Sequence, residues 1–192
     1  MIYTMEGHAL KHAVEEMLFH LLPTVTLTHA DAIGAAETDD WCRSILTEAD
    51  GQAQARAVVC LDGTVRESES RASVEGFAPL DYKRTITELV KTTVYDAVVP
   101  ALPEPPVWGS LTGVRPAKLA RGLIERGMSR GEAAVHLREH FHVSPARTAL
   151  TIRAAATAME LDKEIGPDDI SLYVGIPFCP SRCYYCSFVS ST

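Results

Sequence analysis

Three cysteines in the segment CPSRCYYC have the spacing of a metal-binding loop. Cys179, Cys183 and Cys186 form a C-x₃-C-x₂-C arrangement. Cysteine thiolates are soft ligands that select zinc, copper(I) or iron–sulfur clusters. A structural zinc site requires a fourth protein ligand, yet no Cys or His follows Cys186, and the nearest upstream histidine is His142. Three thiolates on a short loop instead suit a 4Fe-4S cluster that keeps one iron open for a further ligand.

Composition limits the classes of protein to which this chain can belong. The 192 residues are 46% hydrophobic and carry a formal net charge of −7, which favours a globular protein over a nonspecific nucleic-acid binder. The N-terminal residues lack the pattern of a signal peptide, and no apolar run reaches the length of a membrane span. Five cysteines, three of them clustered, form a poor disulfide framework. A cytoplasmic location is therefore expected.

Apolar periodicity predicts an α+β domain over residues 1–104. The two predicted helices span residues 7–22 and 80–99, and Pro23 ends the first. Four β-branched or alternating runs predict a small antiparallel sheet, with Asp62-Gly63 as a hairpin turn. The predicted strands are 24–30, 41–48, 54–61 and 64–71. Cys42 and Cys60 fall within these strands, where a free cysteine usually behaves as a small buried hydrophobe.

A different organisation is predicted after this domain. Residues 100–109 include four prolines, which favour a linker with a boundary near residue 105. A small helical module is predicted over 105–166. Its helices are expected at 116–126, 130–141 and 145–161, the second opened by a capping box of Ser129 and Glu132. The apolar run SLYVGIPF (171–178) predicts a short strand that leads directly into the cysteines.

The sequence YVGIPFCPSRCYYC resembles the cluster loop of radical S-adenosylmethionine (SAM) enzymes. Its lead-in, from Tyr173 through Ile176-Pro177-Phe178 to Cys179, is similar to that of the oxygen-independent coproporphyrinogen III oxidase (coproporphyrinogen dehydrogenase) group. The extension containing WGSLTGVRPAKLA (108–120) resembles the HemZ-like branch of that group. The resemblance implies that residues 167–192 begin a radical SAM (β/α) barrel. It also implies that the chain is the N-terminal part of such an enzyme and is inactive alone.

The resemblance implies roles for five residues of this loop. Cys179, Cys183 and Cys186 would ligate the 4Fe-4S cluster, while Tyr173 and Tyr185 match aromatic residues that contact S-adenosyl-L-methionine. The implied reaction is the oxidative decarboxylation of two propionates of coproporphyrinogen III to vinyl groups, which gives protoporphyrinogen IX without oxygen. The implied partners are the porphyrinogen and an electron donor such as a flavodoxin or a ferredoxin.

Other functions stay open at this point. Gly175 stands where the best-known enzymes of the group carry histidine, so another porphyrin substrate is conceivable. Some relatives bind or deliver heme without decarboxylation, and the first two modules could serve as an interaction scaffold. A zinc site completed by Cys42 or Cys60 is a further alternative for the cysteine triad. The segment HLREH (136–140) matches an inverted zinc-protease motif, but it lacks an obvious third ligand.

Overall fold

The computed structural model describes residues 1–34, 40–112, 115–166, 168–170, 172–181 and 183. These residues form five strands, five α-helices and one short 3₁₀ helix at Val99–Ala101. The strands are β1 (Ile2–Glu6), β2 (Thr28–His29), β3 (Trp41–Ala49), β4 (Gln52–Leu61) and β5 (Thr64–Ser73). The helices are α1 (Lys11–Leu21), α2 (Pro79–Val98), α3 (Pro116–Glu125), α4 (Arg130–Glu139) and α5 (Pro145–Leu161). The class is therefore α+β. The chain divides into two compact units, residues 1–156 and 157–192.

The sheet is mixed, with the strand order β2-β1-β3-β4-β5. Strands β3, β4 and β5 form an antiparallel meander, as predicted. Its second turn contains Asp62 and Gly63 with φ of 49° and 71°, the left-handed values that a type I′ hairpin turn requires. Strand β1, however, lies parallel to both of its neighbours, β2 and β3. The prediction of a purely antiparallel sheet is therefore wrong, because it missed β1 and the crossover through α1.

One face of this sheet is covered by α1 and α2. Alternate residues of β4 point toward the helices and are buried, namely Ala53, Ala55, Ala57, Val59 and Leu61. Met17 and Leu18 of α1 and Val90 and Val94 of α2 belong to the same apolar cluster. The intervening residues of β4 are partly or fully exposed on the other face. The small alanine side chains of β4 allow the helices to approach the sheet closely.

The region from residue 107 to residue 156 forms a second apolar cluster. Its buried members are Ala120, Leu137, Phe141, Val143 and Ala155, with Trp108 and Leu111 packed against them. The capping box predicted for α4 is present, since Ser129 Oγ accepts from the Glu132 amide at 3.2 Å and Glu132 Oε2 accepts from the Ser129 amide at 2.7 Å. The boundary near residue 105 stays a prediction. In the described part of the chain, no helix has both the length and the apolar character needed to cross a bilayer.

Candidate functional site

The cysteine loop is only partly described by the structure. Cys179 is half-buried and Cys183 is exposed, and both are free thiols. The other two residues predicted for this loop, Tyr185 and Cys186, lie outside the described residues. The arrangement of the three predicted cluster ligands therefore stays a prediction. Pro180 and Ser181 between the two described thiols form a bend, which is a suitable path for a loop that turns around a ligand.

The segment that leads into the cysteines differs from its prediction. Residues 172–177 have no regular secondary structure, and Phe178 forms a single β-bridge. The strand predicted over 171–178 is therefore wrong for the described residues, and the barrel to which it would belong stays a prediction. A strand needs a neighbour to pair its backbone amides and carbonyls, and apolar character alone does not provide one. Tyr173, the predicted SAM contact, is 89% exposed.

The apolar side chains of this lead-in segment are not covered by other described residues. Six of them are strongly exposed: Ile170, Leu172, Tyr173, Val174, Ile176 and Phe178. Single exposed apolar residues are ordinary on protein surfaces, but a contiguous group of large ones indicates a surface that is buried in some other state. The side chains of this segment are therefore typical of a buried strand, but they are exposed to solvent.

The two remaining cysteines differ in their suitability as metal ligands. Cys42 in β3 is fully buried, and burial raises the pKa of its thiol to about 12. Because the thiolate is the form that binds metals, Cys42 is a poor ligand in the folded chain. Cys60 in β4 is half-buried on the sheet face that the helices leave open. Among the described residues, no group of three or more His, Cys, Asp or Glu side chains is arranged to hold a metal ion.

The two histidines of the HLREH segment take part in contacts between helices. The rings of His136 and His140 stack with centroids 4.8 Å apart. His140 Nε2 is paired with Glu88 of α2, and the hydrogen bond to this carboxylate raises the pKa of His140. Burial, and then the charge of His140, lower the pKa of His136. His140 thus joins the end of α4 to α2, and His136 packs against the His140 ring.

A second pair connects the same two regions further along α2. His142 Nε2 lies 3.0 Å from Asp96 Oδ1, and the His142 ring stacks on Tyr95 with centroids 5.1 Å apart. Burial raises the pKa of Asp96, although the charges of His142 and His140 oppose this shift. The loop after α4 is thus held against α2 by two histidine–carboxylate pairs, about two helical turns apart.

Residues 107–112, which include most of the block WGSLTG, form a segment that is held by backbone hydrogen bonds. The Ser110 amide donates to the Phe141 carbonyl at 2.9 Å, and the Ser144 amide donates to the Val107 carbonyl at 3.0 Å. Gly109 between them has φ of 58°, and a Cβ at this position would lie 1.9 Å from the Phe141 carbonyl oxygen. Only glycine permits this approach, so the glycine serves backbone packing. Arg115 and Lys118, which follow in the longer block WGSLTGVRPAKLA, are exposed.

A cavity of about 390 Å³ lies between α2 and segment 107–112. It is lined by Leu80, Lys83, Arg84, Thr87, Glu88, Lys91, Thr92, Ser110, Leu111, Thr112 and Phe141. The lining residues of α2 belong to none of the motifs described above. One pattern in α2 could have indicated them. The polar residues between 83 and 92 recur at spacings of three and four, and they lie opposite the apolar face that packs on the sheet. The position of segment 107–112 against that stripe could not be inferred from the pattern.

Part of the chain is similar in sequence to a curated protein. The chain is 36% identical over 85 residues to the oxygen-independent coproporphyrinogen-III oxidase-like protein HemZ of Bacillus subtilis (strain 168). The match covers 42% of this chain and 17% of HemZ, so the chain corresponds to a minor part of that relative. No family model matches the sequence. Among solved structures, VC0702 from Vibrio cholerae aligns over 85% of this chain and 98% of its own, with 11% identity and a TM-score of 0.30.

Proposed function

We propose that this chain is part of a radical SAM oxidoreductase of porphyrin metabolism, related to HemZ. The 36% identity to HemZ over 85 residues carries this proposal, because it is the comparison that links the chain to a protein named for coproporphyrinogen chemistry. The C-x₃-C-x₂-C spacing is a second support, because three thiolates at this spacing suit a 4Fe-4S cluster.

The described part of the donor set fits a 4Fe-4S cluster. Cys179 and Cys183 are free and reachable, and the bend at Pro180 lets the loop turn between them. With Cys186 as the third ligand, one iron would stay open for SAM. The bound cluster and SAM would supply the one-electron chemistry that starts propionate decarboxylation. Tyr173 and Tyr185 would position SAM beside the loop, and the exposed apolar lead-in would be covered so that water is excluded.

Anaerobic reconstitution of the chain with iron, sulfide and a reductant tests the metal site. We expect ~4 irons and ~4 sulfides per chain, with the broad visible absorbance of a 4Fe-4S cluster. Each of Cys179→Ser, Cys183→Ser and Cys186→Ser should abolish this absorbance. Cys42→Ser and Cys60→Ser serve as matched controls and should retain it. Equal loss of metal in Cys60→Ser and Cys183→Ser would exclude ligation by three cysteines and favour a site with four thiolates.

Activity is tested in the longest form of the protein that contains this sequence. With reductant and SAM, we expect 5′-deoxyadenosine to form, and its yield to rise when coproporphyrinogen III is added. Protoporphyrinogen IX should appear under the same oxygen-free conditions. Stoichiometric heme binding without any vinyl product would instead identify a heme carrier, and the oxidoreductase proposal would fail.

A further inference from the structure

The α2 pocket, the cavity between α2 and segment 107–112, has the composition of a ligand site. Its volume of about 390 Å³ falls in the range of pockets that hold small organic molecules. Leu80, Leu111 and Phe141 contribute apolar surface, and Lys83, Arg84 and Lys91 contribute positive charge. Such sites combine a largely apolar lining with a few polar groups that orient the ligand.

The inner part of the pocket is held in place by a hydrogen-bonded network. Lys91 Nζ donates to Glu16 Oε2 of α1 at 2.6 Å and to Thr112 Oγ1 at 3.0 Å. The Lys91 side chain is only 18% exposed, so its ammonium group is fixed rather than free in solvent. Burial opposes ionisation of Glu16, but the hydrogen bond and charge of Lys91 outweigh burial and lower the pKa of Glu16. Glu16 therefore stays ionised at neutral pH, and its negative charge offsets that of the ammonium group it contacts.

The charges at the rim of the pocket are not balanced in this way. Lys83 and Arg84 are exposed, and among the described residues no carboxylate lies within ion-pair distance of Lys83. Arg84 Nη1 lies 3.4 Å from Asp81 Oδ1, a pair whose side chains are both mostly in solvent and that contributes little. Glu88, the carboxylate in the lining, is already paired with His140. An incoming anion would therefore meet two cations without displacing a buried partner.

We propose that the α2 pocket binds a small amphipathic carboxylate. Its apolar body would lie against Leu111 and Phe141, and its carboxylate would lie at the rim near Lys83 and Arg84. The planar guanidinium of Arg84 can donate two parallel hydrogen bonds to a carboxylate. This site belongs to the unit of residues 1–156 and uses none of the cysteine-loop residues, so it is independent of the function proposed above.

The test uses the full chain and two probes with the same apolar ring system, 2-naphthoate, which carries a negative charge, and 2-naphthylmethanol, which is neutral. In an amide chemical-shift titration, 2-naphthoate should shift residues in the first half of α2 and residues 110–112. The alcohol should bind about three- to tenfold more weakly, as expected for the loss of two partly solvated charge interactions, with Lys83 and Arg84. Equal affinity for the two probes, or shifts located elsewhere in the chain, would refute the proposal.

Two lysine variants distinguish binding at the rim of the pocket from attraction of the anion to surface charge in general. Lys83→Gln should weaken 2-naphthoate binding about two- to fivefold, because Arg84 remains, and should leave binding of the alcohol unchanged. Lys118→Gln, on the exposed side of α3, is the matched control and should leave both affinities unchanged. An equal effect of the two substitutions would show nonspecific attraction of anions and overturn the site. Much tighter binding of 2-naphthyl phosphate than of 2-naphthoate would replace the carboxylate with a phosphate ligand and overturn the assignment of ligand class.

Discussion

Gly109 determines the path of segment 107–112, and with it one wall of the α2 pocket. Its left-handed φ of 58° and the close approach of the Phe141 carbonyl oxygen are two separate reasons for glycine. The left-handed conformation costs an L-residue about 1–2 kcal/mol. The steric contact adds to this cost, because carbonyl groups on a packed backbone cannot move aside freely.

Gly109→Ala should therefore lower the free energy of unfolding more than a glycine substitution in a comparable backbone conformation. Gly63 in the β4–β5 turn is a suitable control, since its φ is 71° and no atom lies within 4 Å of a Cβ built there. Gly63→Ala should cost about 1–2 kcal/mol, and Gly109→Ala should cost at least ~1 kcal/mol more. Urea unfolding of both variants provides the measurement. Equal losses would mean that the Phe141 carbonyl moves aside at no cost.

At the scale of elements, α2 connects the two apolar clusters of the first unit. Its buried face, including Val90 and Val94, packs on the sheet. Its other side carries Glu88 and Asp96, which pair with His140 and His142 at the end of α4. Because imidazole gains and loses its charge near neutral pH, the connection between these elements should depend on pH.

The Glu88–His140 pair should stabilise the fold more at acidic pH than at alkaline pH. Since the folded-state pKa of His140 is raised, its contribution is complete below the unfolded pKa of about 6.5 and is lost as the pH rises through the folded value. The groups that face His140 are Glu88, Asp96 and the stacked ring of His136. A double-mutant cycle with Glu88→Gln and His140→Gln should give up to ~1 kcal/mol of coupling at about pH 5.5 and almost none at about pH 8.5.

The exposed pair of Asp81 and Arg84 is the control for this cycle. Both side chains are more than half exposed, and an ion pair in solvent contributes little to stability. The coupling between Asp81→Asn and Arg84→Gln should therefore stay near zero throughout. A Glu88–His140 coupling that does not change with pH would show that the contact is held by packing and not by the charge of the imidazole.

Local sequence signals were sufficient to predict the elements whose contacts are close in sequence. The helices α2 to α5, the β3–β5 meander and the capping box at Ser129 agree with prediction to within a few residues, because each depends on periodicity, turn residues or caps. β1 was missed because MIYTMEG lacks a clear alternation. The predicted strand at 24–30 is reduced to Thr28–His29, the residues that pair with β1. Strand pairing between distant segments is not encoded in any local pattern. The packing of segment 107–112 against α2, which forms the pocket, is not encoded there either.

At the scale of the molecule, the unit of residues 157–192 differs from the unit of residues 1–156 in the solvent exposure of its described apolar side chains. Large apolar side chains between residues 170 and 178 are exposed, and residues 172–177 are in neither helix nor strand. Proteases require an accessible, extended backbone, so exposed side chains alone do not make a helix susceptible. The two units should therefore differ in their rates of cleavage.

Limited digestion with chymotrypsin should cut first after Leu172, Tyr173 or Phe178. Phe19 is the internal control, since its side chain is 56% exposed but its backbone is part of α1. Mass spectrometry at early times should show a fragment that retains residues 1–161, with cleavage at Phe19 appearing much later. Simultaneous cleavage at Phe19 and Tyr173 would mean that α1 opens as readily as the lead-in segment.

The position of β1 inside the sheet has a consequence for the order of folding. Ile2 is in register with both Thr28 and Trp41, so β1 can complete its pairing only after long stretches of chain have closed around it. The β3–β5 meander requires only tight turns between neighbouring strands. Closing the longer loops costs more chain entropy, which favours the meander in the folding transition state and delays the parallel pairs. Of the strands in this sheet, the one that comes first in chain order is thus expected to reach its native pairing late.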